Sequence, residues 1–112
     1  MIFIMTASNW YIYILDCDGS YYYTGITTDI ERRTRQHRAG KSPGARATRG
    51  FSSIERVYAV AVGSRSAAQR IEYRLKKLSR KEKRRIVREQ PSAVQLMLQL
   101  AMNTSRLPSN AL

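Results

Sequence analysis

The sequence predicts a small α+β domain in which an antiparallel hairpin leads a three-stranded sheet flanked by helices. Three observations carry this. Two aromatic and β-branched runs, residues 10–17 and 21–26, flank an Asp18-Gly19 turn signal. A third apolar run of the same character covers residues 54–62. Between and after these runs the chain is punctuated by Ser/Thr-x-x-Glu/Gln patterns, the signature of helix starts. At 112 residues there is room for one core.

The first run, Trp10-Tyr-Ile-Tyr-Ile-Leu-Asp-Cys17, alternates so that Tyr11 and Tyr13 share one face and Trp10, Ile12 and Ile14 the other. In the return strand Tyr21, Tyr23 and Gly25 share a face. Thr28, with Glu31 three residues on, is the expected cap of a helix over 29–39 that stops at Gly40. Its Arg33 and His37, four residues apart, lie on one face. Residues 40–53, with Gly40, Pro43, Gly44 and Gly50, read as a basic loop carrying Lys41, Arg46 and Arg49. After the strand at 54–62, Ser66 with Gln69 is the expected start of a second helix, with Ala68, Ile71, Leu75 and Leu78 as its apolar stripe. Ser79 with Glu82 opens a very basic third helix that ends before Pro91. Ser92 with Gln95 opens an apolar segment through Met102, expected to close the core. The domain is therefore placed at residues 9–90, a helical extension at 91–102, and flexible ends at 1–8 and 103–112.

Charge narrows the partners. Twenty Lys and Arg oppose eight Asp and Glu, a net charge of +12 and a pI near 10.6. Residues 1–28 contain no base, whereas 32–88 hold 19 of the 20 basic residues. Such a charge repels itself in the folded state and points to a polyanion, which Lys and Arg bind by releasing counterions. DNA is the expected partner and RNA the other candidate. The basic segments lack the Trp/Phe face of a membrane-surface helix, and no stretch nears the roughly 18 apolar residues of a span. The single cysteine, Cys17, excludes a disulfide framework and a cysteine zinc site. A cytoplasmic protein, monomeric or weakly dimeric, is the expectation.

Within this background a few side chains carry chemistry. Glu72 is the only acid between Glu55 and Glu82. A carboxylate inside a polyanion-binding domain repels the ligand unless a cation bridges them, as hard divalent metals do. The simpler reading is an i,i+4 pair with Lys76, worth about 0.3–0.5 kcal/mol if exposed. Tyr13 and Tyr23 read first as strand packing; a phenol, with a pKa of about 10, works as a base only if cations depress that value. Arg33 can clamp a phosphate, although Arg32, Arg35 and Arg38 beside it also fit a solvated face. His37 fits either a hydrogen bond to a tyrosine or water, or simple packing. No P-loop, Gly-x-Gly-x-x-Gly or His-Glu-x-x-His competes, and Cys17, between two aspartates, is a poor thiolate.

Taken together, Tyr11-Ile12-Tyr13, then Tyr23-Thr24-Gly25 ten residues on, then Arg33 ten further, resemble the GIY-YIG endonuclease domain. The stretch from Tyr23 through Arg33 to His37, and the segment from Arg65 through Glu72 to Lys76, are similar to its small stand-alone bacterial members. The resemblance spans about residues 9–90. It implies a metal-dependent phosphodiesterase. Tyr13 and Tyr23 would lie in the active site, one of them helping to deprotonate the attacking water. Arg33 and His37 would sit on the first helix, and Glu72 would bind Mg²⁺ or Mn²⁺. Phosphate contacts would come from Arg32, Lys41, Arg46, Arg49, Arg70, Lys76 and Lys77. Tyr11 stands where the family name has Gly, Thr24 where it has Ile, and Ile26 where many members carry a polar or basic residue. No Asn lies between Glu72 and Met102, where many members place one. The expected function is DNA endonuclease, with branched or damaged DNA in repair as candidate substrate. The alternative is a catalytically silent nucleic-acid-binding module. A helix-turn-helix regulator built from residues 66–89 is disfavoured by the opening hairpin.

Overall fold

The hairpin forms as the turn chemistry dictates. Strand β1 (Trp10–Cys17) pairs antiparallel with β2 (Tyr21–Thr27), and at their junction Asp18 (φ 56°) and Gly19 (φ 68°) both adopt the left-handed conformation. The computed structural model describes residues 9–40 and 46–106, the side chains of 103–106 excepted. Helix α1 (Ile30–Ala39), a 3₁₀ turn (Arg46–Thr48), β3 (Ile54–Gly63), α2 (Arg65–Lys76), α3 (Arg80–Glu89) and α4 (Ala93–Arg106) come after the hairpin. The sheet order is β2-β1-β3, antiparallel throughout. This is the expected α+β fold. Of the expected basic loop, Lys41, Pro43 and Gly44 lie outside the described residues.

β1 is the central strand and is buried on both faces: Ile12, Tyr13, Ile14 and Leu15 are all essentially inaccessible. Its alternation sorts them into two layers. Ile12 and Ile14 join Tyr58 against Ile71 and Leu75 of α2, Ile86 of α3, and Leu96 and Leu100 of α4. Tyr13, Leu15 and Cys17 join Ile54 on the opposite face, with Ile30 of α1 packed on them. The apolar segment after Pro91 thus closes the core through Leu96 and Leu100, while Val94, Leu98 and Met102 stay exposed. It runs to Arg106, four residues past the expected end. Among the described residues no helix is long and apolar enough to cross a membrane.

The four expected helix caps fall into two pairs. The reciprocal boxes at Ser79–Glu82 and Ser92–Gln95 form as expected. The two others are displaced. The cap of α1 is Asp29, not Thr28; its carboxylate accepts from the Arg32 amide at 3.1 Å, a stronger acceptor at a positive helix end. Glu31 is released to pair with Arg56 of β3 at 3.0 Å. The cap of α2 is Ser64, not Ser66, because β3 ends at Gly63 (φ 100°) and the chain enters the helix at once. Ser66 instead accepts from the Arg70 guanidinium at 2.8 Å.

Long-range ties hold the hairpin and the helices in place. Asp18 accepts from the backbone amides of Ser52 (3.1 Å) and Ser53 (2.6 Å), pinning the turn to the entry of β3. The Arg80 guanidinium at the start of α3 donates to the carbonyls of Gly19 and Ser20 and lies over the Tyr22 ring. The Tyr58 hydroxyl donates to the Pro91 carbonyl at 2.7 Å.

One buried group is out of balance. Thr24 of β2 is 3% exposed, and its hydroxyl has no hydrogen-bond partner among the described residues. A buried hydroxyl without a partner forfeits its hydration. Thr24→Val keeps the shape and removes that penalty, so it should stabilise the protein by about 1 kcal/mol, read as a higher urea midpoint at unchanged slope.

Candidate active site

Register places the first pair of phenols. Tyr13 sits opposite Gly25 and Leu15 opposite Tyr23, with both tyrosines on the face that α1 covers. The absence of a side chain at residue 25 is what admits the ring. A Cβ at Gly25 would stand 2.5 Å from the Tyr13 hydroxyl oxygen and 2.7 Å from Cζ, well inside van der Waals contact. The glycine of the second motif is therefore the cradle of the first motif's tyrosine.

A phenol that is 1% exposed needs partners for its hydroxyl, and α1 supplies them. His37 is buried on the underside of the helix, and its Nε2 lies 2.8 Å from the Tyr13 hydroxyl. Its Nδ1 lies 2.8 Å from the Thr48 hydroxyl on the 3₁₀ turn. Arg33, one turn earlier on α1, hydrogen-bonds the Tyr13 oxygen. With Arg33 donating, Tyr13 is assigned as donor to Nε2, and the imidazole then carries its proton on Nδ1, towards Thr48. The Tyr23 ring completes the cluster, its centroid 4.8 Å from that of His37 and 6.3 Å from that of Tyr13.

Electrostatics here are set by burial. Desolvation, with Tyr23 adding to it, drives the Tyr13 pKa upwards, and the hydrogen bond and charge of Arg33 offset only part of that rise. At Tyr13 burial outweighs one guanidinium. Desolvation and the Arg33 charge also push the His37 pKa down to about 4, which leaves the imidazole neutral at neutral pH. Glu72, at the edge of the buried stripe of α2, is near enough for its charge to raise the Tyr13 pKa. Its carboxylate also forms the i,i+4 pair with Lys76, at 3.2 Å.

Tyr13, Tyr23, Arg33, His37 and Glu72 are thereby brought together. The flanking bases are more dispersed. Arg32, Arg46 and Arg49 are exposed around α1 and the 3₁₀ turn, Arg49 donating to the Gly40 carbonyl at 3.0 Å. Lys76 lies beside Glu72, whereas Lys77 is drawn over the exposed Tyr73 ring at 4.6 Å. Arg70 lines a groove with Met97 and Leu100 of α4. Lys41 lies outside the described residues. Thr48, Gln36 (which accepts from Arg33 at 2.8 Å) and Gly25 as a cradle are functional neighbours that pattern alone does not single out. Gly25 alone carried a signal, its place in the second motif.

Among the described residues no three His, Cys, Asp or Glu side chains converge as a metal cage. One carboxylate beside two phenols is the donor set of a hard cation that keeps water and substrate phosphate oxygens in its shell.

A family model described as the GIY-YIG catalytic domain matches residues 9–85. The chain is 46% identical over 91 residues to the UPF0213 protein YhbQ of Salmonella arizonae, covering 81% of this chain and 89% of that one. It is 44% identical over 94 residues to a UPF0213 protein of Yersinia enterocolitica, covering 84% and 95%. The solution structure of a UPF0213 protein from Bacillus halodurans aligns with a TM-score of 0.47 at 37% identity, over 80% of this chain and 93% of that one.

Two outcomes are expected of this geometry. Gly25→Ala forces the Tyr13 ring off its seat and should cost about 1–3 kcal/mol of stability, measured by urea unfolding. The second concerns pH. Unfolded, His37 titrates at 6.5; folded, at about 4. Within that window the unfolded chain binds a proton that the folded chain refuses. Stability is therefore full above pH 6.5 and falls as pH drops towards 4. A His37→Asn variant should show a shallower decline over the same range.

Proposed function

This chain belongs to the GIY-YIG catalytic domain family, a family of nucleases, and on that premise we propose that it is a divalent-metal-dependent endonuclease acting on DNA in the cytoplasm. The observation that carries this reading is the 2.8 Å contact between the Tyr13 hydroxyl and a neutral His37 in a cluster with Tyr23, Arg33 and Glu72. The basic surface supports a nucleic-acid substrate, held through contacts led by phosphate positions more than by base edges. Branched or damaged DNA, as met in repair, is the substrate class we favour, and the acting unit is a monomer or weak dimer.

In this reading Tyr23, the more exposed phenol, orients the attacking water. Tyr13 takes the water's proton as its own hydroxyl proton moves to Nε2 of His37, so no buried phenolate has to form. The imidazole then behaves as a base of pKa about 4, unprotonated across the working range. Oxygen attacks phosphorus, the bond to the leaving sugar oxygen breaks, and Arg33 stabilises the charge that builds on the phosphoryl oxygens. Glu72 would hold Mg²⁺ or Mn²⁺, which would supply positive charge to the phosphate and to the leaving oxygen. Lys76, now paired with Glu72, would turn to the substrate backbone.

Incubation with labelled duplex, flap and four-way DNA in Mg²⁺ or Mn²⁺ tests this. Glu72→Ala should reduce cleavage by roughly two orders of magnitude or more, and chelation should abolish it. Tyr13→Phe and His37→Ala should each cost roughly 10²-fold, and the double variant little more, because they act as one unit. The acid limb of the rate profile should lie near pH 4 and not near 6.5. Binding without cleavage under every metal would replace the enzyme with the silent binding module, which the missing Asn between Glu72 and Met102 makes the second reading.

A further inference from the structure

An open groove beside the strand that carries Tyr13 uses none of the members of the tyrosine cluster. It has a volume of about 780 Å³ and lies between the start of α1 and the exposed stretch of β3. At the start of α1 Glu31 pairs with Arg56 of β3. Beyond it, Ala59 stands opposite Tyr13 and Ala61 opposite Tyr11, so short side chains floor the sheet beside the phenols. Ala59 is exposed and Ala61 half-buried. Tyr11, on the same face as Tyr13 by strand alternation, lines the groove with its aromatic ring.

The charge of the groove is the telling feature. Asp29 and Glu31 line it with Arg56 as the only base, a local net charge of −1 in a chain of +12. A phosphate backbone gains less there than on the basic surface outside. What fits is a flat, apolar-faced, uncharged group whose edge carries N–H donors. That is a nucleobase: Ala59 and Ala61 meet its face, Tyr11 stacks with it, and the carboxylate lone pairs not used in the Asp29 cap and the Glu31–Arg56 pair accept from exocyclic amines. A base in a duplex has both faces stacked and its edge paired, so it cannot enter. We propose that this groove is a subsite for an unpaired nucleobase of the bound nucleic acid. It directs the enzyme to DNA with a single-stranded or unstacked nucleotide, such as a flap, bubble or branch. The groove lies along β3, the strand next to the one that carries Tyr13. The inference rests on the nuclease reading for its name, but the base subsite makes its own prediction about binding.

Binding is measured by fluorescence anisotropy in chelator, so that cleavage plays no part. The probes are a labelled duplex with a single-stranded flap and the same duplex fully paired. Ala59→Leu fills the exposed floor at a position a strand tolerates. Tyr11→Ala removes the ring, and Tyr11→Phe retains its stacking face. Ala59→Leu and Tyr11→Ala should each weaken flap binding by roughly tenfold, the range of one base–aromatic stack. Both should leave paired-duplex binding within about twofold, and Tyr11→Phe should restore the flap preference. Equal losses on both probes, or no loss on either, would overturn the subsite. If flap selectivity behaves as expected while no DNA is cut under any metal, the subsite stands and the nuclease reading fails.

Discussion

A phenol buried to 1% exposure in the central strand must have both space for its ring and partners for its hydroxyl. Most of the site is a consequence of that requirement. Space comes from Gly25 on the neighbouring strand, which lies opposite Tyr13 because the Asp18-Gly19 turn sets the register. Partners come from α1, and only a helix crossing this face can bring Arg33 and His37 over one hydroxyl. His37 in turn needs a partner for its second nitrogen, and Thr48 on the 3₁₀ turn provides it. Turn, strand, helix and loop are thus coupled through one hydroxyl group.

The charge pattern has a second level beneath the net value. The surplus of base is carried on exposed arginines and lysines, where it costs little desolvation and meets a polyanion. The acids are placed inside this surface on defined tasks. Asp18 binds two backbone amides, Asp29 caps α1, Glu31 pairs with Arg56, and Glu82 closes a capping box. Two of them also turn one groove locally acidic beside the phenols. Arg80 shows the converse: a base in the most cationic helix is drawn to the hairpin carbonyls and the Tyr22 ring, and braces the turn.

Elements and their faces were legible because they depend on neighbours close in sequence. Alternation in residues 10–17 sorts Tyr13 from Ile12 and Ile14, and the two faces hold those residues in separate clusters. The caps at Ser79 and Ser92 were legible for the same reason. Those of α1 and α2 were not, because several polar residues compete there: Thr28 stands beside Asp29, and Ser66 two residues beyond Ser64. The winner is decided by where the preceding strand releases the chain. Glu72 illustrates a further limit. Its pairing with Lys76 is a local i,i+4 contact and was readable, whereas its electrostatic reach to Tyr13 depends on how α2 lies against β1.

The sequence alone determined the α+β order, the family resemblance, the polyanion partner and the set of candidate side chains, since turn propensity, periodicity, motif spacing and charge are local or additive quantities. The tertiary structure decided which of those side chains meet and in what state. Burial set the opposite shifts of Tyr13 and His37, register made Gly25 a cradle, and a loop read only as basic supplied Thr48. Desolvation and non-local contact depend on the whole packed chain, so no stretch of sequence carries them by itself.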